Sequence, residues 1–239
     1  MKKILLMLLL IPVLGIGQTK NVISATRVFP KADKVLDFEK ALAAHAQKYH
    51  TGDWSWRVYE ISSGPDAGGY HIVEGPVSWD ALDSRGNLGT EHNNDWNKNV
   101  AVYLTDKVEE SYSVYVDSLS TTALTRYTDK IVITHMYPKP GMIAGTVNLV
   151  KRLKTVWTAG NENVAVYQSV ISGEPQIATV TRLKDGLKEL ADGYRKPMAE
   201  RFNTAYGVGA WDTYLADYSK YVGSRWSELL VYRPDLSSK

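Results

Sequence analysis

Hydrophobic residues recur along the first part of the chain with two periods, one typical of a helix and one typical of strands. Val35, Phe38, Leu42, His45 and Tyr49 are spaced by three and four residues, so they fall on one side of a helix. Short apolar runs predict strands at 22–29, 54–61, 70–74 and 112–116, with a second helical segment between the last two. The predicted order is therefore β-α-β-β-α-β, the ferredoxin-like unit.

The second part of the chain repeats this pattern. Residues 26–31 read Thr-Arg-Val-Phe-Pro-Lys and residues 134–139 read Thr-His-Met-Tyr-Pro-Lys, a shift of 108 positions. A helical stripe and four further strands follow at comparable positions, the strands at 131–137, 164–171, 178–182 and 226–232. We predict an α+β protein made by tandem duplication, with one ferredoxin-like repeat over 18–120 and a second over 121–239.

The first residues have the layout of a secretory signal peptide. Met1-Lys2-Lys3 is followed by an apolar run from 4 to 16 that is shorter than a bilayer span, and small residues precede position 18. We predict a signal peptide over 1–17, cleavage after Gly17 and a periplasmic or secreted bacterial protein; an uncleaved membrane anchor is the alternative. After cleavage no membrane association is expected.

Composition removes several classes of function. The chain contains no cysteine, which excludes disulfides, thiolate metal sites and cysteine nucleophiles. It carries 28 basic and 26 acidic residues, and cleavage would remove Lys2 and Lys3, so the mature chain is formally neutral. A neutral surface gives no electrostatic reason to expect a nucleic-acid partner.

The repeated unit resembles a known superfamily. Two ferredoxin-like units in one chain are similar to the dimeric α+β barrel superfamily, with both units fused into one barrel. The junctions Arg27-Val28-Phe29 and His135-Met136-Tyr137-Pro138-Lys139-Pro140-Gly141 resemble the NIPSNAP-type opening. The resemblance implies a barrel shared by cofactor-free oxygenases, haem-degrading enzymes, isomerases and proteins without known chemistry. Haem is therefore a cofactor that the resemblance allows.

Alternation along the opening strands selects candidate catalytic residues. Arg27 shares a face with residues 23, 25 and 29, and His135 shares the matching face with Tyr137 and residues 131 and 133. If these faces line the barrel, His135 is a candidate base or ligand, and Arg27 and Tyr137 are candidates to orient a substrate. The alternative is that Arg27 and His135 lie at the barrel mouth, bonded to backbone carbonyls.

Candidate ligand-binding residues come from the middle strands. Tyr70 and His71 are neighbours on one strand, so only one of them can point inward. The residues predicted to bind a ligand are Trp54, Trp56, Tyr70, His71, Glu74 and Arg182. The tryptophans are alternatively core residues, and Glu74 with Arg182 is alternatively a structural ion pair.

We predict no metal site. His71 and His135 form the best pair of candidate ligands, and catalytic zinc normally takes three protein ligands. His45 is interpreted as a core residue, His50 as the end of the first helix, and His92 as part of a solvated polar loop.

Three functions remain open at this point. The first is an exported protein that binds a small apolar or aromatic molecule between its repeats, since no complete catalytic constellation is evident. The second is a cofactor-free oxygenase or haem-handling enzyme that uses His135. The third is a structural or interaction protein with a filled barrel. Either a monomer or a homodimer is compatible with the sequence.

Overall fold

The computed structural model describes residues 19–169 and 171–239, which form eight strands and six α-helices. The predicted signal peptide lies outside the described residues. The strands are β1 (Val22–Pro30), β2 (Trp56–Ile61), β3 (Tyr70–Val77), β4 (Leu104–Tyr115), β5 (Lys130–Pro138), β6 (Val164–Ser169), β7 (Ile177–Arg182) and β8 (Val222–Tyr232). The α-helices are α1 (Val35–Tyr49), α2 (Trp79–Ser84), α3 (Thr90–Asp95), α4 (Ile143–Ala159), α5 (Met198–Tyr206) and α6 (Ala210–Tyr221).

The eight strands close into a single antiparallel barrel in the order β1-β3-β2-β8-β5-β7-β6-β4. In each half the opening strand lies in the middle: β1 pairs with β3 and β4, and β5 pairs with β7 and β8. The β2–β8 and β4–β6 pairs join the halves. The α+β class and the barrel are thereby confirmed, whereas a duplication at 120/121 stays a prediction.

The helices cover the outer face of the barrel. Phe38 and Leu42 of α1 are fully buried and pack with Val28, Val58 and Ile72. Leu36, on the opposite side of α1, is 80% exposed, so the helix is amphipathic as the spacing predicts. Burying this stripe is what attaches α1 to the sheet.

The second half is covered in the same way by α4. Val150 and Trp157 of α4 pack against Val164, Val166 and Ile177. A further cluster, in which α5 and α6 pack on α4, contains Leu149, Val156, Phe202, Tyr214 and Val222.

The segment before β4 differs from the helix predicted there. After α3 a π-helical turn spans Trp96–Val100 and a 3-10 turn spans Ala101–Tyr103, and Leu104 then begins β4. The strand extends this far because it pairs with the whole of β1, from Val22 opposite Val114 to Pro30 opposite Leu104. A strand partner that distant is invisible to local periodicity. Across the described residues, no helix combines the length and the apolar character that a bilayer crossing requires.

Candidate functional site

A cavity of about 620 Å³ lies inside the barrel, between the two halves. Its apolar wall comes from inward residues of four strands, which are Ile23, Ala25, Val73, Ile131, Ile133, Ala178 and Val180. These positions alternate with the outward residues that pack under the helices, because successive strand side chains point to opposite faces. The barrel is therefore not filled solid, contrary to the third expectation from the sequence.

A buried charged cluster occupies part of the cavity wall. Nη1 of Arg27 donates to Oδ2 of Asp66 at 2.6 Å and to Oε2 of Glu228 at 3.2 Å, and Nη2 of Arg27 donates to Oε1 of Glu228. Burial opposes the cation, yet the hydrogen bonds and charges of Glu228 and Asp66 leave the pKa of Arg27 raised. Lys107 pairs with the remaining oxygen of Asp66, so the cations and carboxylates balance.

His135 is part of the same cluster. Its Nε2 lies 2.8 Å from Oε1 of Glu228, its Nδ1 lies 2.9 Å from Oε1 of Gln176, and its ring stacks on Trp226 with centroids 4.1 Å apart. Tyr137 also lines the cavity, and burial raises the pKa of its hydroxyl. Arg27 and His135 thus lie inside the barrel and bond to carboxylates, not to backbone carbonyls at its mouth.

His71 is the inward member of the Tyr70–His71 pair. Its Nδ1 is buried without a hydrogen-bond partner. Burial, reinforced by the charges of Arg27 and His135, lowers the pKa of His71 well below its usual value. Burial therefore favours the neutral imidazole, and its Nδ1 is a buried polar atom without a partner, which is rare in folded proteins.

Arg182 lines the cavity but does not pair with Glu74. Its guanidinium donates to the backbone carbonyls of Ala123 at 2.7 Å and Leu124 at 2.8 Å, and to the hydroxyl of Tyr167 at 3.2 Å. These bonds fix the 123–126 segment over the barrel. The ion pair expected from the sequence is absent because Glu74 points to the outside of β3.

Four of the predicted ligand-binding residues, Trp54, Trp56, Tyr70 and Glu74, lie outside the cavity wall. Trp54 lies in a 3-10 turn that precedes β2, so it is not part of the strand predicted to begin at residue 54. On β2 the inward residues are Arg57 and Tyr59. On β3, Tyr70 packs on the α1 side, where its hydroxyl donates to Glu39 at 2.6 Å.

Sequence reasoning missed two features. Glu228 lies on β8 two residues from Trp226 and from Leu230, which packs inside the barrel, so the strand alternation contained the signal. The second feature is a histidine cluster outside the barrel, formed by His45, His50 and His92. One ring nitrogen from each of these side chains lies within 4.8 Å of the other two.

The pKa values of His45 and His50 are both lowered, mainly by burial. This holds although Nδ1 of each ring lies beside a carboxylate, which opposes the shift. These two rings therefore favour the neutral form. The predicted core, helix-end and loop histidines are neighbours in space, and no local pattern in the sequence brings them together.

Haem does not fit His135 as its ligand. A haem-ligating histidine needs a free ring nitrogen that faces open space. Both nitrogens of His135 are already engaged, by Glu228 and by Gln176.

Comparison with solved structures finds proteins of similar fold. The chain is similar to an anthrone oxidase-like protein, with 14% identity, a TM-score of 0.58 and coverage of 90% of this chain and 92% of that one. It is also similar to a protein inferred to be a monooxygenase from Lactobacillus acidophilus NCFM (11% identity, TM-score 0.52, coverage 91% and 95%).

A third similar structure is chlorite dismutase from Candidatus Nitrospira defluvii in complex with imidazole (9% identity, TM-score 0.51, coverage 91% and 93%). All three neighbours share the overall fold of this chain, in agreement with the predicted α+β class. At such identities the likeness shows the fold alone.

No protein-family model matches the chain. A search of the curated proteins also finds no match. The NIPSNAP-type resemblance of the strand-to-helix junctions gains no support from these comparisons.

Proposed function

We propose that the barrel cavity is the active site of a cofactor-independent oxygenase. The substrate class is a small, flat, largely apolar molecule with an acidic C–H or O–H group, such as an aromatic ketone. The observation that carries the proposal is His71, a cavity-lining imidazole whose Nδ1 has no hydrogen-bond partner and which lies between the apolar part of the wall and the charged cluster around Arg27. The likeness in fold to an anthrone oxidase-like protein agrees with this substrate class.

In the proposed reaction His71 accepts a proton from an activated CH₂ group of the substrate. The resulting enolate transfers an electron to O₂, the two radicals combine to a peroxide, and the peroxide loses water. One CH₂ group and one O₂ thereby yield one C=O group and one H₂O. The negative charge on the enolate stabilises the imidazolium form of His71, because an opposite charge nearby favours the charged form.

Arg27, His135 and Tyr137 have positioning roles in this proposal. Arg27 lies at the polar end of the cavity, where an N–H group not used by Asp66 or Glu228 would donate to the enolate oxygen. Glu228 orients His135, and stacking on Trp226 holds the ring in place. The apolar wall admits both an aromatic ring and O₂.

Oxygen uptake tests this proposal directly. The full chain is mixed with 1,8-dihydroxyanthrone in chelator-containing buffer, and the rate without protein is subtracted. We expect uptake of one O₂ per substrate, reduced about 10²-fold or more in His71→Gln. Tyr206→Phe is the control, because that hydroxyl bonds to Arg152 on the helix surface. Equal uptake by parent and His71→Gln would contradict the role of His71, whereas binding without uptake would leave only a binding function.

We also propose that the protein is exported and that its two halves arose by gene duplication. The positively charged start and apolar run support cleavage after Gly17 and a periplasmic or secreted location. The equivalent strand orders of the two halves support an origin by duplication. Intact-mass measurement of protein recovered from a periplasmic extract tests the cleavage, and a chain that keeps residues 1–17 would overturn it. The same spectra recorded under native conditions distinguish a monomer from a homodimer.

A further inference from the structure

The three histidines of the cluster outside the barrel approach one another through the same ring atom, and ring nitrogens of all three lie within 4.8 Å of one another. Nε2 of His50 lies 3.4 Å from Nε2 of His45 and 3.4 Å from Nε2 of His92. Hydrogen bonds between nitrogen donors and acceptors are usually shorter. Two nitrogens that each lie about 2.0–2.1 Å from a tetrahedral zinc ion are about 3.3–3.4 Å apart. The spacing therefore matches two ligands of one metal ion.

The opposite ring atoms show where the protons are. Nδ1 of His45 lies 2.7 Å from Oδ2 of Asp95, and Nδ1 of His50 lies 3.1 Å from Oε2 of Glu74. A carboxylate oxygen only accepts, so each Nδ1 carries the hydrogen and each Nε2 presents its lone pair. Lone pairs that face one another repel unless a cation lies between them.

His92 follows the same arrangement with an amide in place of a carboxylate. Its Nδ1 lies 3.0 Å from Oδ1 of Asn93. The amide nitrogen of Asn93 donates to Oδ1 of Asn87 at 3.2 Å, which assigns the oxygen of Asn93 to the histidine. All three rings therefore have an oxygen acceptor on Nδ1, the support that metal-bound histidines usually have.

The supporting groups are themselves held in place. Glu74 accepts from Nε1 of Trp56 at 2.9 Å and from both terminal nitrogens of Arg85, one of them at 2.8 Å. Trp56 also stacks on His50, with ring centroids 3.5 Å apart. Asp95 accepts from the amide of Asn99 at 2.8 Å. This layer is more elaborate than a histidine needs for packing alone.

We infer that His45, His50 and His92 form a binding site for one divalent transition-metal ion. Neutral imidazole suits zinc and its neighbours among the first-row metals. Three protein ligands leave one position for water or a substrate. His45 and His50 are buried, whereas His92 is half-buried, so the ion would join α3 to the end of α1 at the surface. This inference does not depend on the proposed oxygenase function.

Zinc titration of the full chain tests the site. The protein is prepared without a histidine tag, stripped with a chelator, and titrated with Zn²⁺ against a chromophoric competitor. We expect one ion per chain, with affinity reduced at least about 100-fold in His92→Ala and about 10- to 100-fold in Asp95→Ala. His71→Ala is the matched control, because it removes a histidine from the barrel and should bind zinc as the parent does.

Co²⁺ provides a second measurement on the unmutated chain. Ligation by imidazoles in a four-coordinate site gives intense visible absorption, and addition of one Zn²⁺ should abolish it. Circular dichroism of each variant checks that the fold is retained. Absence of stoichiometric zinc binding, unchanged binding in folded His92→Ala, or loss of binding in folded His71→Ala would each overturn the inference.

Discussion

Arg27 and Glu228 are 201 positions apart in the sequence, yet Nη1 of Arg27 donates to Oε2 of Glu228 at 3.2 Å inside the barrel. Arg27 lies on β1 and Glu228 lies on β8, so the pair connects the two halves across the cavity. Both side chains are buried, with 9% and 0% of their surface exposed. Each charge compensates the burial of the other, and Asp66 is a second carboxylate partner of Arg27.

The first prediction concerns this ion pair. Glu228→Gln keeps the side-chain size but removes the charge that balances Arg27 and contacts His135. Loss of one partner of a buried pair leaves the other uncompensated, so we expect the free energy of unfolding to fall by about 3–5 kcal/mol. Urea denaturation measures it. Glu200→Gln is the control, since that carboxylate pairs with Lys196 at the surface and its loss should cost less than about 1 kcal/mol. Similar effects of both substitutions would contradict the structural role of Glu228.

The second prediction tests the amphipathic stripe of α1. Leu42 is fully buried, and Leu36 on the same helix is 80% exposed. We expect Leu42→Ala to lower the free energy of unfolding by about 3–5 kcal/mol, because the lost methyl groups leave a cavity against the sheet. Leu36→Ala should change it by less than about 0.5 kcal/mol. Thermal and urea unfolding of the two variants give the comparison, and equal losses would show that α1 is not seated as described.

A third prediction concerns acid stability. A hydrogen bond from Arg233 holds the pKa of Glu39 below its ordinary value of 4.5, assisted by a bond from Tyr70. Because the folded state favours the carboxylate, this contribution is present above the ordinary value and is lost as the pH falls through the lowered pKa. Glu39→Gln should therefore flatten the decline in stability below about pH 4.5.

Urea midpoints measured across that pH range check the Glu39 prediction. Asp37→Asn, on the exposed part of α1, is the control. If the slope of the Glu39→Gln variant equalled that of the parent, the Arg233–Glu39 bond would not persist in solution.

The fourth prediction concerns the cavity itself. Ala178 on β7 is the strand-pairing partner of His135 on β5 and lines the cavity beside it, so Ala178→Trp should fill part of the open volume. We expect binding of 1,8-dihydroxyanthrone to weaken at least tenfold, which corresponds to about 1.4 kcal/mol. Fluorescence titration provides the measurement. Ala159→Trp, at the exposed end of α4, should bind as the parent does. Unchanged binding in Ala178→Trp would place the ligand elsewhere.

The sequence by itself determined the local structure of the barrel. Spacings of three and four residues located α1 and α4, and two-residue alternation made Arg27 and His135 candidates for an inward face while leaving Tyr70 and His71 as alternatives; in the structure Arg27, His71 and His135 line the cavity. Such periods arise from the geometry of one element, so they can be read without knowing its partner. The structure closes the eight strands into one barrel, as the resemblance stated in the sequence analysis implied.

Only the tertiary structure decided which side chains meet. Trp56 and Glu74 were predicted to bind a ligand, but on β2 and β3 their side chains point outward, toward His50. The start of β4 at Leu104 is likewise set by its pairing with β1, which is distant in the sequence. His92 lies 42 positions from His50 and belongs to the short helix α3, where the sequence predicted a solvated polar loop. Contacts between distant elements depend on how the whole chain packs, and local periodicity does not contain that information.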